Sequence, residues 1–210
     1  MKLNEINKRI ISSFILLPAV FYLIIEGSVL FNFFLIIILF LSIYEFFKFK
    51  LKKYLIYFCI FYLLISFYTI FLFRNANDEN SLSYFFIVFI TCISTDLGGY
   101  LFGKIFKGPK LTKISPNKTY SGVLGSYVLV IISIYFFLKI QDLTNFLTIN
   151  FLSIVLIIST ISQLGDLLIS YFKRKTKIKD SGTIIPGHGG ILDRIDGMIF
   201  AFPMSYLIFY

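Results

Sequence analysis

Three aspartates near the ends of apolar runs are the residues of this 210-residue chain best suited to chemistry. Asp193 and Asp196 are three apart, so on a helix they share a face, and Asp166 closes the preceding apolar run. Converging carboxylates suit a hard cation such as magnesium, which is commonly held by one or two carboxylates and completed by substrate phosphate and water. The plainer alternative for each is an interfacial acid paired with a nearby Lys or Arg. Asp96 stands inside another apolar run, where an ionisable group is costly and by default functional; its alternative is pairing with the basic residues that follow it.

Two basic stretches carry the turn-forming residues. The first contains Ser115-Pro116-Asn117-Lys118-Thr119, with Gly122 and Gly125 opening the next helix. Hydroxyls, backbone N–H groups and an ammonium at a helix start suit a phosphate, although Ser-Pro-Asn is equally an ordinary cap and turn. The second runs from Ser170 to Asp196 and holds Lys173, Arg174, Lys179, Asp180, Pro186, Gly187, His188, Gly189, Gly190 and Arg194. Its glycines let the backbone approach a ligand closely, and its cations can meet several phosphate oxygens, so this loop suits a triphosphate. Asp180 reads either as part of that site or as the partner of Lys179. His188, the only histidine, reads as a substrate contact in preference to a metal ligand or a general acid or base, because a phosphate-monoester nucleophile is already ionised near neutral pH. Glu45 reads as an interfacial charge near Lys48, and Cys59 and Cys92 as small buried hydrophobes.

The elements that position these residues must lie in a membrane. With 58% hydrophobic residues and a mean hydropathy of +0.86, the chain carries more apolar surface than a soluble domain of this length can bury. A helix crosses the hydrocarbon layer with about 20 apolar residues. Seven such runs, approximately 10–26, 28–47, 54–73, 81–103, 119–139, 143–168 and 192–210, predict an all-α polytopic membrane protein. No linker or repeat divides it, so a single domain over 1–210 is expected. The first run lacks a small-residue cleavage site and reads as an uncleaved helix. Lys and Arg alternate between connections: Lys2, Lys8 and Arg9, then 48–53, 104–118 and 173–179 are basic, whereas 74–80 has only Arg74 beside Asp78 and Glu79. This pattern places the amino terminus and both phosphate-suited stretches on the cytoplasmic face and Tyr210 opposite. Orientation against membrane lipids accounts for most of the +9 charge, and no nucleic-acid partner is expected.

The run from Ser170 to Asp196 resembles the signature of the phosphatidate cytidylyltransferases, also called CDP-diglyceride synthases, with every position filled. Asp96-Leu97-Gly98-Gly99-Tyr100-Leu101-Phe102-Gly103-Lys104, Ser115–Thr119 with Gly122 and Gly125, and Gln163-Leu164-Gly165-Asp166 are also similar to that family. The resemblance covers roughly 96–197, in the catalytic half 91–210; residues 1–90 match only as unspecific membrane helices. Ser121 and Gly197 depart from it, where the family often has an acid or amide and a Ser.

The resemblance implies a helical homodimer in a bacterial plasma membrane that converts CTP and phosphatidate to CDP-diacylglycerol and pyrophosphate with magnesium. It implies Asp166 and Asp193 as metal ligands, with Asp196 completing or orienting the shell. Ser115, Lys118, Thr119, Lys173, Arg174, Lys179 and His188 would bind phosphates, and Asp96 would line a polar cavity for the lipid headgroup. Arg194 would stabilise departing pyrophosphate or order the aspartates, with Asp180, Gly189 and Gly190 in the nucleotide loop. The competing readings are a CTP-dependent polyprenol or phytol kinase, which would lack the complete signature, and a small transporter subunit, whose acids would spread through membrane depth.

Overall fold

The computed structural model describes Phe14, residues 18–76, Asp78, residues 80–178, residues 180–184 and residues 189–210. Lys2, Lys8, Arg9, Glu79, Lys179, Pro186, Gly187 and His188 therefore lie outside the described residues. The described chain is helical: α1 over 18–26, α2 Ser28–Lys48, α3 Lys53–Asn75, α4 Ser81–Phe106, α5 Tyr120–Ile140, a 3₁₀ turn Thr144–Phe146, α6 Ile149–Lys175 and α7 Leu192–Phe209. One isolated extended bridge joins Lys110 to Thr119. Among the described residues five helices, α2 to α6, are long and apolar enough to cross a membrane, and the chain is an integral membrane protein.

Helix ends differ from the sequence expectation where charge or a local cap overrides hydropathy. The run expected from 143 becomes a 3₁₀ turn, and α6 begins only at Ile149, where the Thr148 hydroxyl accepts from Phe151 N–H (3.2 Å) as a cap. At its other end α6 continues past the apolar residues through Lys173, Arg174 and Lys175, since basic residues suit the negative end of the helix dipole. The 104–118 stretch is likewise partly helical. Helix α4 runs on to Phe106 and stops at Lys107, which takes the left-handed conformation (φ 47°) ahead of Gly108-Pro109.

The backbone groups into two compact units. One comprises Met1–Asn77 and Phe172–Ile195. In it, α1 turns into α2 at Gly27 and Ser28, both with positive φ. The Arg74 guanidinium at the end of α3 closes that turn, donating from Nε to the Ile24 carbonyl (2.6 Å) and from Nη2 to that of Ile25 (2.8 Å). These carbonyls end α1 and have no helical donor of their own.

The other unit comprises Asp78–Tyr171 and Asp196–Tyr210. Its apolar core joins Ile87, Val130, Ile134, Leu138, Phe151 and Val155, and Tyr84 stacks on Phe209 with ring centroids 4.5 Å apart. Between lipid-compatible helices there is little hydrophobic drive, so association rests on close packing and interhelical hydrogen bonds. Both are present. Thr95 shares a hydrogen bond with Ser159 (2.7 Å) and Tyr127 with Thr160 (2.9 Å). Helices α4 and α5 meet through glycine: a β-carbon at Gly98 would lie 2.7 Å from the Ser126 Cα and 2.8 Å from the Gly125 carbonyl, and one at Gly122 would lie 2.7 Å from the Gly99 carbonyl. At Gly98 the obstacle is backbone and cannot rotate away.

Gly98→Ala is expected to destabilise the protein by about 1–3 kcal/mol through forced separation of the two helices. Gly99→Ala, whose methyl group would lie 3.7 Å from the Ser126 hydroxyl, is expected to be tolerated. Thermal unfolding of both variants in detergent checks this; equal melting temperatures would contradict it.

Candidate active site

In the first unit, the hub of the signature loop is Asp193, in the first turn of α7. Its Oδ1 accepts from the Lys173 ammonium (2.7 Å), and its Oδ2 accepts from the backbone N–H groups of Ser181 (2.9 Å) and Gly190 (3.1 Å). Lys173 reaches it from the last turn of α6 and is almost fully buried. Three donors, one of them charged, thus fix a single carboxylate in orientation. Gly189 passes beside it with φ +88°, a conformation that favours glycine, and a β-carbon there would stand 3.1 Å from Asp193 Oδ2. Arg174, Asp180 and Arg194 are exposed around this hub.

Sequence reasoning missed Glu45. It is not an interfacial charge beside Lys48: its side chain is fully buried, and Lys48 lies over the Tyr44 ring instead. Glu45 Oε1 accepts from Ile191 N–H (3.0 Å), and Oε2 accepts from Leu192 N–H (2.9 Å) and the Ser181 hydroxyl (2.8 Å). The signal was present, since Glu45 is a lone acid among Tyr44, Phe46 and Phe47 and meets the same rule that singled out Asp96.

In the second unit, Asp166 is the counterpart hub. It pairs with the Lys118 ammonium through Oδ2 and accepts from the Ser170 hydroxyl one helical turn on (3.2 Å). Lys118 is delivered by a folded-back loop: Leu111 N–H donates to the Lys118 carbonyl (2.8 Å) and Tyr120 N–H to that of Pro109 (3.1 Å). Ser115 anchors the turn, its N–H donating to Thr112 Oγ1 and its carbonyl accepting from Lys118 N–H. Thr119 is the N-cap of α5, with Oγ1 accepting from Gly122 N–H (3.1 Å), so the cap alternative describes its contact here. Ser121, one of the departures from the family pattern, accepts from Gly108 N–H. Asp196 is buried on α7 and its Oδ1 accepts from Gly197 N–H, whereas Asp96 is exposed on α4. Gly197, the other departure, leaves the space that a β-carbon would take from the Ser162 hydroxyl.

The donors available are carboxylate oxygens, the ligand type a hard cation takes, and both Asp166 and Asp193 already face a cation in the form of a lysine ammonium. Among the described residues no group of three or more His, Cys, Asp or Glu side chains gathers within metal-binding reach. The donors are thus of the type a hard cation takes, and in this arrangement two of them are paired with lysines.

Asp193→Ala would leave two loop N–H groups and a nearly buried ammonium without their acceptor, a loss worth several-fold in local opening. Trypsin is expected to cut faster at the lysines and arginine of 173–179 in this variant than in wild type. Fragment mass spectrometry measures it, and equal cleavage rates would contradict the hub role.

Residues 52–210 match the model of the cytidylyltransferase family. The chain is 42% identical over 136 residues to a phosphatidate cytidylyltransferase of Bacillus subtilis, covering 64% of this chain and 50% of that protein. It is 39% identical over 141 residues to one of Staphylococcus haemolyticus, with 66% and 53% covered. It is also 40% identical over 159 residues to one of Rickettsia typhi, with 69% and 68% covered. The chain thus spans about half the length of the first two relatives. A match over three quarters of the sequence that takes in both aspartate hubs shows that this chain belongs to the cytidylyltransferase family.

Proposed function

We propose that this chain is a phosphatidate cytidylyltransferase that converts CTP and phosphatidate to CDP-diacylglycerol and pyrophosphate. The observation that carries the reading is the signature loop itself: its Asp193 is held by Lys173 and two backbone N–H groups, in a chain whose relatives bear that enzyme's name. An ionised phosphate oxygen of phosphatidate attacks the α-phosphorus of CTP. As that P–O bond forms, the bond from the α-phosphorus to the bridging oxygen breaks, and pyrophosphate leaves with the electron pair. No proton need be removed from the nucleophile, so the demand on the protein is positioning and charge neutralisation.

Asp166, Asp193 and Asp196 would hold magnesium, which neutralises triphosphate charge when bound. Ser115, Lys118, Thr119, Lys173, Arg174, Lys179 and His188 are assigned to the phosphates, with Asp180, Gly189 and Gly190 in the nucleotide loop. Arg194, exposed beside Asp193, is assigned to departing pyrophosphate. Asp96 is assigned to the lipid headgroup. An integral membrane setting supports the reading physically, because acyl chains stay in lipid while the phosphate reaches polar loops at the helix ends. We further place these loops on the cytoplasmic face, from the distribution of lysine and arginine, with seven spans in one integral domain and a homodimer as the working form.

The full chain in liposomes, given labelled CTP, phosphatidate and magnesium, is expected to yield labelled CDP-diacylglycerol. Chelation should abolish the product and added magnesium restore it. Asp193→Asn should lower the rate at least about a hundredfold while the protein remains folded. A labelled polyprenyl phosphate from a polyprenol acceptor, or no product from folded wild type, would sink the reading.

A further inference from the structure

A carboxyl group buried among apolar helices is costly unless its oxygens are satisfied, and three donors to Glu45 come from one segment of chain. Its three donors are Ser181, Ile191 and Leu192, on both sides of the loop that precedes α7. Two of them are backbone N–H groups at the start of that helix, which have no acceptor within it. The loop is also shaped around this side chain. A β-carbon at Gly182 would collide with Glu45 Oε1, and one at Gly190 would stand 2.5 and 2.6 Å from its two carboxyl oxygens. Two glycines of the signature run thus vacate the volume that the carboxyl group fills.

The same residues hold Asp193. Ser181 gives its hydroxyl to Glu45 and its N–H to Asp193, and Gly190, packed against Glu45, gives its N–H to Asp193 as well. Glu45 and Asp193 are therefore joined through a shared pair of residues, each fixed from both sides. Glu45 lies ahead of residues 52–210, which carry the family match.

We propose that Glu45 is a positioning residue for the reaction: it anchors the loop at Ser181, Ile191 and Leu192 and thereby sets the orientation of Asp193. The second half of this statement rests on the role given to Asp193 above; the first half does not. Glu45→Gln keeps the shape but points an NH2 group at one of the backbone N–H donors. It is expected to raise hydrogen exchange of amides in 180–184 and 189–193 by about tenfold or more, leaving α3 unchanged. In the transfer assay it should raise the magnesium concentration for half-maximal rate by roughly ten- to hundredfold, a shift that a smaller folded fraction would not produce. Ser181→Ala keeps the carboxylate and loses one donor; it should move both readouts the same way by less, and it decides the matter if Glu45→Gln does not fold. Wild-type exchange in the variant, or faster exchange with an unmoved magnesium requirement, would overturn the proposal. If wild type makes no CDP-diacylglycerol, the functional reading fails, and the exchange result alone decides whether Glu45 is the anchor.

Discussion

The first N–H groups and the last C=O groups of a helix have no partner within it and must be met by side chains, turns or water. That requirement organises this protein. Arg74 meets the last carbonyls of α1, Thr119 and Thr148 meet the first N–H groups of α5 and α6, and Glu45 meets those of α7. The last case differs in consequence, since the helix so capped carries Asp193 in its first turn. A backbone obligation and a chemical group are thereby fixed by one set of contacts.

Some of the candidate site residues sit at or beside such ends, whereas Asp166 and Asp96 stand inside α6 and α4. Lys173 stands in the last turn of α6 and Asp193 in the first turn of α7, while Lys118 precedes α5. Each of the two hub aspartates is neutralised by a lysine that the sequence places in a different segment, 20 residues away for Asp193. Such pairs keep negative charge from standing bare in a medium of low polarity.

Hydropathy made the helices legible, because a 20-residue apolar run has few other fates, and it made their limits less so. The onset of α6 depends on the Thr148 hydroxyl, and its end on the helix tolerance of Lys173–Lys175, neither of which a hydropathy count weighs. Asp166 and Asp193 were legible as special acids from their place beside apolar runs. Glu45 meets the same criterion, but its donors lie 136 to 147 residues further along the chain, a separation no local pattern encodes. Gly122 and Gly125 were visible as small residues opening a helix; that Gly122 lets the α4 backbone approach and Gly125 makes room for the Phe102 ring required the second helix to be in place.

The shared volume at Gly182, Gly190 and Glu45 has an evolutionary consequence. A methyl group at either glycine is incompatible with a full-length glutamate at 45, and a shorter side chain at 45 leaves a polar hollow under the loop. The three positions are therefore coupled through volume, with Ser181 as a fourth, since a β-carbon at Gly190 would also stand against its hydroxyl. Although the first helices look like interchangeable membrane filler, the volume available at position 45 is set by the signature loop.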